Sequence, residues 1–407
     1  MAEDGGQVFL RTVAGDQWLV FGENALQRGF RGPGLQGSFL RDCFASRNNH
    51  FAQDDKSQNN AEKTHFYLGD EFVKKIGILF GMENTFPPAL VEKINSMKVD
   101  NVAAEFVQVG GIRMDEPNKY AVIIDRISQD IPFYRAYLKN AALHGTIVVN
   151  NPFWWTADDK FFNYALAHKL GVAIPPTVIL PHNKHPEGTT DRSMRNLIFP
   201  LNWQELFDYV GFPAFLKPYS GGGWKHVYHV HSPEEFFQHY NQTGDLCMTL
   251  QHGVVFEEYY RCYVVGQEKV HIMKYDPRLP HHERYVKGNP PPSSETLRAR
   301  IEKDALTLCK VLGYDLNTVE FAVEGGVPYA IDFLNPAPDA EITSVGQENF
   351  DWIVNAVAEM AVKMAQTGED PARELRWASF LAGTPPKEAR KGEPKWVAER
   401  KRGKAAK

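Results

Sequence analysis

The residues best suited to chemistry are a lysine and a run of glycines that follows it closely. Lys217 ends an apolar stretch that begins at Pro213, and the sequence then continues with Ser220, Gly221, Gly222 and Gly223. Glycines let backbone N–H groups approach an anion, and a lysine adds a positive point charge. The segment therefore suits the phosphates of a nucleotide, over which the glycines would form a mobile loop.

Two acidic residues farther along the chain suit a metal ion. Glu320 and Asp332 lie on the two apolar runs of a predicted β-hairpin, and Asn335 follows three residues after Asp332. Oxygen ligands of this kind suit a hard cation such as Mg²⁺, or Mn²⁺ in its place. Because a regular strand would point Asp332 and Asn335 to opposite faces, we expect the chain to bend or bulge at Asn335.

An acidic and aromatic segment lies between the lysine and the paired acids. Residues 254–260 end in Glu257, Glu258, Tyr259 and Tyr260. A short segment of this kind can clamp a purine ring. The lysine, the glycines, the acidic-aromatic segment and the paired acids, in this order, predict an enzyme that uses ATP.

Length and composition exclude several other classes of protein. The 407 residues suffice for two or three domains of roughly 150 residues each. The net charge of −5 argues against a nucleic-acid binder, whose domains are usually basic, and no apolar run approaches the roughly 20 residues of a membrane span. The N-terminus lacks a secretory signal. Four scattered cysteines without a CxxC pair indicate reduced thiols in a cytoplasmic protein.

The elements that must position these residues indicate an α/β protein of several parts. From residue 75 onward, strands alternate with helices, which indicates a parallel sheet covered by helices. The basic C-terminal segment lacks periodicity and is expected to be a disordered tail. We expect the following division: an N-terminal extension at 1–70 that holds a hairpin, a small α/β domain at 71–155, a second domain whose halves are 156–258 and 259–370, and the tail at 371–407.

The order of these segments resembles the ATP-grasp superfamily over residues 75–366. Residues 158–160, Asp-Asp-Lys, resemble the Asp-Lys at the start of a helix in D-alanine–D-alanine ligase and in the RimK-like ribosomal-protein glutamate ligases. Residues 261–266 are similar to the Arg-x-x-Val-Val-Gly of the same glutamate ligases. The chain is thus similar to these carboxylate–amine ligases and to the glutathione synthetases. The resemblance implies an ATP-grasp fold preceded by a small parallel-sheet α/β domain.

The resemblance also implies how ATP and the metal ion are held. Arg261 would face the γ-phosphate, where a planar guanidinium can bond two oxygens at once. The choice between Glu257 and Glu258 for the nucleotide stays open, because no loop separates this segment from Arg261. The other implied contacts are Lys160, Lys217 and residues 220–223 with the phosphates, Glu257 or Glu258 with Tyr259 and Tyr260 at the adenine and ribose, and Glu320, Asp332 and Asn335 with Mg²⁺.

The substrate contacts implied by the resemblance lie in loops. Lys274, Arg278, His282 and Arg284 would touch phosphate and the carboxylate substrate, or else belong to a solvated loop. Asp339 and Glu341 would face an amine substrate, with loop surface as the alternative. Because no Ser/His/Asp or Cys/His arrangement stands out, we expect no side-chain nucleophile.

The function implied by the resemblance is ATP- and Mg²⁺-dependent ligation of a carboxylate to an amine. The carboxylate would attack the γ-phosphate to give an acyl phosphate and ADP, and the amine would then displace phosphate to give an amide. Small-molecule acids and amines, amino acids or a peptide among them, are the expected partners, and a homodimer stays open. Two alternatives remain: a kinase of the same fold that phosphorylates a small-molecule hydroxyl, and a non-catalytic ATP-binding protein.

Overall fold

The structure, a computed structural model, describes residues 7–11, 18–22, 73–154, 159–222, 225–370, 372–374 and 379–380. Gly223 and most of the predicted tail lie outside the described residues. The chain divides into two compact units, residues 1–68 and 69–407. In the first unit, β1 (Gln7–Arg11) and β2 (Trp18–Gly22) pair as an antiparallel hairpin, which confirms the hairpin predicted there.

The second unit begins with a four-stranded parallel sheet. Its strands lie in the order β4-β3-β5-β6, and every neighbouring pair is parallel. The two helices of this part, at residues 86–96 and 132–143, each have a proline in the first turn. Proline is well suited to this position, because the N–H that it lacks would have no partner within the helix. Because the strand order reverses between β3 and β5, the carboxyl ends of these two strands border a crevice that can hold a ligand. The elements are β3 (Lys74–Leu79), α1 (Phe86–Ser96), β4 (Val102–Phe106), β5 (Tyr120–Asp125), α2 (Pro132–Leu143) and β6 (Ile147–Val149).

A second sheet of four antiparallel strands follows. Its elements are α3 (Lys160–Lys169), β7 (Thr177–Leu180), α4 (Trp203–Val210), β8 (Ala214–Pro218), β9 (Tyr228–Val230), α5 (Pro233–Tyr240) and β10 (Met248–His252). The strand order is β7-β10-β8-β9. Trp203, Phe207 and Phe236 pack with Leu216 on one face of this sheet. Because side chains alternate along a strand, Lys217 lies on the other face.

The third sheet is also antiparallel, in the order β12-β11-β13-β14. Its elements are β11 (Glu258–Val265), β12 (Lys269–Lys274), α6 (Glu295–Leu312), β13 (Leu316–Glu324), β14 (Val327–Asp332), α7 (Ile342–Val345) and α8 (Gln347–Thr367). Tyr260 and Cys262 pack in one core cluster with α6. Tyr263 and Val265, on the opposite face of β11, pack in another cluster with α8, β3 and β5. Helix α8 therefore joins the third sheet to the parallel sheet.

Residues 253–257 connect the second sheet to the third and lie where the acidic-aromatic segment begins. The second unit combines one parallel sheet and two antiparallel sheets with helices between their strands, which agrees with the predicted α/β class. Within the described ranges, no helix combines the length and the apolar character needed to cross a membrane.

Candidate nucleotide and metal site

One row of residues crosses three strands of the third sheet and contains the predicted arginine and both acids. Arg261 of β11 lies opposite Glu320 of β13, and Glu320 lies opposite Asp332 of β14. Residues that face each other on neighbouring strands have their side chains within reach of one another. The register of the sheet, which local sequence does not fix, therefore brings these three side chains together.

A bulge in β14 places Asp332 on the same face as Glu320. The pairing with β13 shifts between Glu320 and Phe321, because Ala330 pairs with Phe321 while Asp332 pairs with Glu320. Ile331 is the extra residue of the bulge, and it packs on the face that carries Tyr259. This bulge precedes Asp332 and accounts for the shared face of the two acids. The strand ends at Asp332, and the bend expected at Asn335, which would bring Asn335 to the face of Asp332, stays a prediction.

Glu320 is the most enclosed of the acids. Its carboxylate accepts a 2.5 Å hydrogen bond from the hydroxyl of Tyr259 and pairs with Arg261 at 3.2 Å. Burial raises the pKa of Glu320, the Arg261 guanidinium opposes this shift, and the nearby charge of Asp332 adds to it. The charge of Arg284 also lowers the pKa of Glu320, which places that loop residue near the acids.

Arg261 faces the acids and the loop that follows β14. Its Nη2 donates to the hydroxyl of Thr318 at 3.3 Å and, with the amide of Asn335 turned to satisfy its neighbours, to the Asn335 oxygen at 3.3 Å. Among the described residues, its buried Nε has no hydrogen-bond partner. Burial lowers the pKa of Arg261, but neighbouring groups including Glu320 outweigh this effect and the pKa is raised. The guanidinium is therefore held charged beside the acids.

Lys217 reaches the same region from the second sheet. Its Nζ donates to the hydroxyl of Tyr164 and to Oε1 of Gln251, both at 2.9 Å. Tyr164 in turn donates to the carbonyl of Ile331 at 3.0 Å, so the bulge of β14 is tied to this lysine. Burial, the largest cause, and the charge of Lys160 together lower the pKa of Lys217 to about 8, although the charges of Asp332 and Glu320 act in the opposite direction.

Lys160 lies at the start of α3, where Asp159 is the N-cap and accepts from the backbone N–H of Phe162 at 3.1 Å. The backbone N–H of Lys160 donates to the Tyr219 carbonyl at 3.0 Å, and its Nζ donates to the carbonyl of Gly221. Gly221 has a φ of +82°, which favours glycine. The helix start and the glycine segment are thus in direct contact. A small cleft beside them is lined by Lys160, Asn163, Tyr164, Asp332, Phe333 and Leu334.

The predicted adenine segment divides between the two faces of β11. Glu258 accepts from Ser293 at 2.6 Å and from Lys274 at 3.3 Å, and the hydroxyl of Tyr260 also donates to it. Burial raises the pKa of Glu258, but these three bonds outweigh it and the pKa is lowered. Tyr260 and Lys274 lie opposite each other on the face away from Arg261. Glu257 is exposed and precedes the strand, and Tyr259 faces the acids.

The structure does not bring all the predicted substrate residues to the acids. Lys274 is paired with Glu258 on the opposite face of the sheet, because the register of β11 and β12 sets it opposite Tyr260. Arg278 is exposed and bonds Asp276 through two 2.8 Å contacts. His282 is exposed beside Glu283. Of the four residues, Arg284 is the one whose charge acts on Glu320.

The two acids after the hairpin have partners within the protein. The carboxylate of Glu341 accepts from the backbone N–H of Asn84 at 2.8 Å and from the N–H and hydroxyl of Thr85 at 3.0 Å. It thus caps the start of α1, and although burial raises its pKa, these bonds lower it overall. Asp339 accepts from the Ser344 hydroxyl. The hydrogen bonds of Glu341 therefore stabilise the fold, and they leave its carboxylate little capacity to bind an amine substrate.

The side-chain oxygens around Glu320 and Asp332 are suitable ligands for a hard cation that also binds phosphate. Glu320, Asp332 and Asn335 offer carboxylate and amide oxygens, the ligand type that Mg²⁺ takes. In the described part of the chain, no group of three or more acidic, histidine or cysteine side chains is arranged to hold a metal ion. Two carboxylates supplemented by an amide and by phosphate oxygens suit Mg²⁺, which usually keeps several non-protein ligands.

Two residues of the site were missed from the sequence. Tyr164 lies four residues after Lys160 on α3 and so shares its helix face, a spacing that could have revealed it. Gln251 is a buried polar residue on β10, a strand that is buried throughout, and its Nε2 donates to the hydroxyl of Thr177 at 2.8 Å. Both residues orient Lys217 by accepting from its ammonium group.

Comparison with solved structures identifies the architecture. D-alanine–D-alanine ligase from Bacillus anthracis complexed with ATP matches with a TM-score of 0.51 and 14% identity, over 73% of this chain and 99% of that chain. The VanG D-Ala:D-Ser ligase from Enterococcus faecalis matches with a TM-score of 0.51 and 13% identity, over 72% of this chain and 99% of that one. A RimK domain ATP-grasp protein from Sphaerobacter thermophilus reaches 0.49 at 16% identity, over 71% and 99%. No protein-family model matches the chain, and no curated protein matches it in sequence. The first two likenesses establish the fold.

Proposed function

We propose that this chain, which has the ATP-grasp fold, is an ATP- and Mg²⁺-dependent ligase that joins a carboxylate to an amine through an acyl phosphate. The observation that carries the proposal is the row Arg261, Glu320 and Asp332, which is joined to Lys217 through Tyr164 and the bulge. Cations that suit a polyphosphate and acids that suit a metal ion meet at one place. This arrangement supports binding of a metal–nucleotide complex.

The residues of the site would act mainly by binding and neutralising charge. Lys160 and Lys217 would hold the phosphates, and Arg261 would stabilise the γ-phosphoryl group as it moves. Mg²⁺ held by Glu320, Asp332 and Asn335 would supply further positive charge to the phosphate oxygens. The glycine segment at Gly221, in contact with Lys160, would close over the nucleotide and keep water away.

The bond changes of the proposed reaction balance without a side-chain nucleophile. An oxygen of the substrate carboxylate bonds to the γ-phosphorus as the bond to ADP breaks. The amine nitrogen then bonds to the acyl carbon, phosphate leaves, and the nitrogen loses a proton. Small acids and amines, including amino acids or a peptide, are the proposed substrates. A cytoplasmic location is proposed from the thiols of Cys247, Cys262 and Cys309, which are free.

The test is an ADP-release screen with amino acids and other small acids, singly and in pairs with amines, in the presence of Mg²⁺. Release that requires both an acid and an amine supports the ligase. Release with a stable phosphorylated hydroxyl product supports a kinase instead, and tight nucleotide binding without release under any pair supports a non-catalytic role. The Lys217→Met variant is the control for contaminating ATPase activity, because it removes the central phosphate contact.

A further inference from the structure

The loop after β14 is held by hydrogen bonds at three of its backbone positions. The N–H of Asn335 donates to Oδ1 of Asn317 at 2.8 Å. The carbonyl of Pro336 accepts from Nδ2 of Asn150 at 3.1 Å. The carbonyl of Pro338 accepts two bonds, and residues 335–338 are therefore fixed from outside the loop.

The two donors to the Pro338 carbonyl come from different sheets. The hydroxyl of Tyr263, on β11, donates at 2.8 Å. Nη2 of Arg126, the residue directly after β5, donates at 2.5 Å. Arg126 therefore extends from the carboxyl end of the parallel sheet, at the crevice where the strand order reverses, to the loop that carries Asn335.

The guanidinium of Arg126 is a hydrogen-bond donor that is held in place by its neighbours. Its side chain is 1% exposed and pairs with Glu83, to which its Nε donates at 2.9 Å. The guanidinium lies 5.0 Å from the ring centre of Phe86. Because Glu83 neutralises the buried charge and the ring limits its movement, the position of Nη2 is fixed.

The Pro338 carbonyl is close to the residues of the site. Tyr263 lies two residues after Arg261 on the same strand, so both side chains lie on one face. Arg261 in turn contacts Asn335 at 3.3 Å. A displacement of Pro338 would therefore shift Asn335 and the guanidinium that it contacts.

We propose that Arg126 and Tyr263 are positioning residues, which hold the 335–338 loop so that Asn335 can complete the metal site. The inference rests on the proposed function, since it takes Asn335 as a ligand of Mg²⁺. Groups that orient a metal ligand typically change metal affinity about 10- to 100-fold when they are removed. The parallel-sheet domain is thereby a functional part of the metal site.

The test is calorimetric binding of a non-hydrolysable ATP analogue across a Mg²⁺ titration, which needs no turnover. Arg126→Lys keeps the charge beside Glu83, but one ammonium group cannot reproduce the forked contacts to Glu83 and Pro338. Tyr263→Phe removes only the second donor. We expect each variant to need about 10-fold more Mg²⁺ for half-maximal binding, with binding of the analogue in the absence of Mg²⁺ unchanged.

Thr146→Val is the matched control, because it removes a buried hydrogen bond to the Tyr120 carbonyl in the same parallel-sheet domain and leaves Arg126, Glu83 and Tyr263 in place. We expect a lower melting temperature for this variant and an unchanged Mg²⁺ requirement. If Arg126→Lys and Tyr263→Phe lower the melting temperature but keep the parental Mg²⁺ requirement, the positioning role is overturned while the proposed function stands. If the parent protein itself shows no Mg²⁺-dependent binding, the proposed function is overturned and this inference with it. Should Arg126→Lys not fold, Tyr263→Phe alone decides.

Discussion

Lys217 should reduce the stability of the protein in the absence of nucleotide, and the size of the effect follows from its surroundings. Its pKa falls from 10.5 to about 8, chiefly through burial and also through the charge of Lys160. Each pKa unit corresponds to about 1.4 kcal/mol. Keeping Lys217 charged therefore costs at most about 3 kcal/mol of folding free energy at neutral pH, since the side chain is only partly enclosed.

The sign of the pH dependence follows from the two pKa values. Below pH 8 the lysine is charged in the folded and unfolded chains, and the full cost is present. As the pH rises from 8 to 10.5, the folded chain loses this proton first, and the cost disappears. Lys217→Met has no such cost at any pH, although Gln251 loses a partner, at about 1–3 kcal/mol that does not depend on pH.

Urea unfolding of the parent protein and of Lys217→Met, at intervals between pH 7 and 10.5, measures the effect. We expect the stability of the variant relative to the parent to fall by up to about 3 kcal/mol across this range, while the variant no longer binds the ATP analogue. Lys363→Met, at a lysine on α8 whose side chain is 57% exposed, is the control and should show no such trend. A difference between Lys217→Met and the parent that stays constant from pH 7 to 10.5 would refute the reasoning.

Three further variants test the site and the core beside it. Asp332→Asn should lower ADP release by about 100-fold or more at an unchanged melting temperature, and turnover within a few-fold of the parent would show that the metal site is misplaced. Arg261→Lys keeps the charge opposite Glu320 but loses the planar, forked guanidinium. Steady-state kinetics should therefore show that kcat falls by a larger factor than the KM for ATP rises. A lower melting temperature with a normal kcat would indicate a structural role instead. Burial, with a smaller effect of the charge of Asp370, raises the pKa of Asp315 from 3.8 to about 7. Between these pH values the unfolded chain loses a proton that the folded chain keeps, so Asp315 lowers the stability increasingly as the pH rises. Urea unfolding should then find Asp315→Asn more stable than the parent by up to about 4 kcal/mol at pH 8 and no more stable near pH 4, and an equal difference at both pH values would contradict this.

Much of the fold could be predicted because local signals agree with the tertiary structure. The alternation of strands and helices predicted from residue 75 onward is present, and helix α4 and strand β5 show the local signals for it. Asn202 caps α4 and accepts from the N–H of Glu205, and β5 is a nearly continuous buried run. Caps, prolines and apolar runs act within a few residues, so the sequence displays them directly.

The parts of the site that depend on register could not be predicted in the same way. Lys274 was expected near the substrate, but its pairing with Tyr260 puts it on the face with Glu258. A one-residue change of register would have moved it to the other face. The bulge at Ile331 has the same character, because it depends on how β14 packs against β13 and not on the composition of the strand.

Long-range contacts were the other feature that the sequence did not reveal. Glu341 caps α1 through Thr85, and Arg126 bonds Pro338, although each pair is separated by more than 200 residues. Both pairs lie where the parallel sheet meets the loop after β14. A loop acid and a buried arginine look ordinary in the sequence, and only the fold shows that they fix this loop.

The charges of the site favour the proposed metal–nucleotide complex over either part alone. On one side, the charge of Lys160 lowers the pKa of Lys217, so the two cations disfavour each other. On the other side, Asp332 raises the pKa of Glu320, and Arg261 is needed to offset it. A bare polyphosphate would relieve the cations but repel the acids, and a bare divalent cation would do the reverse. The proposed Mg·ATP would meet both demands, and a cation beside Glu320 would release Arg261 from that carboxylate and leave its guanidinium available to the phosphoryl group.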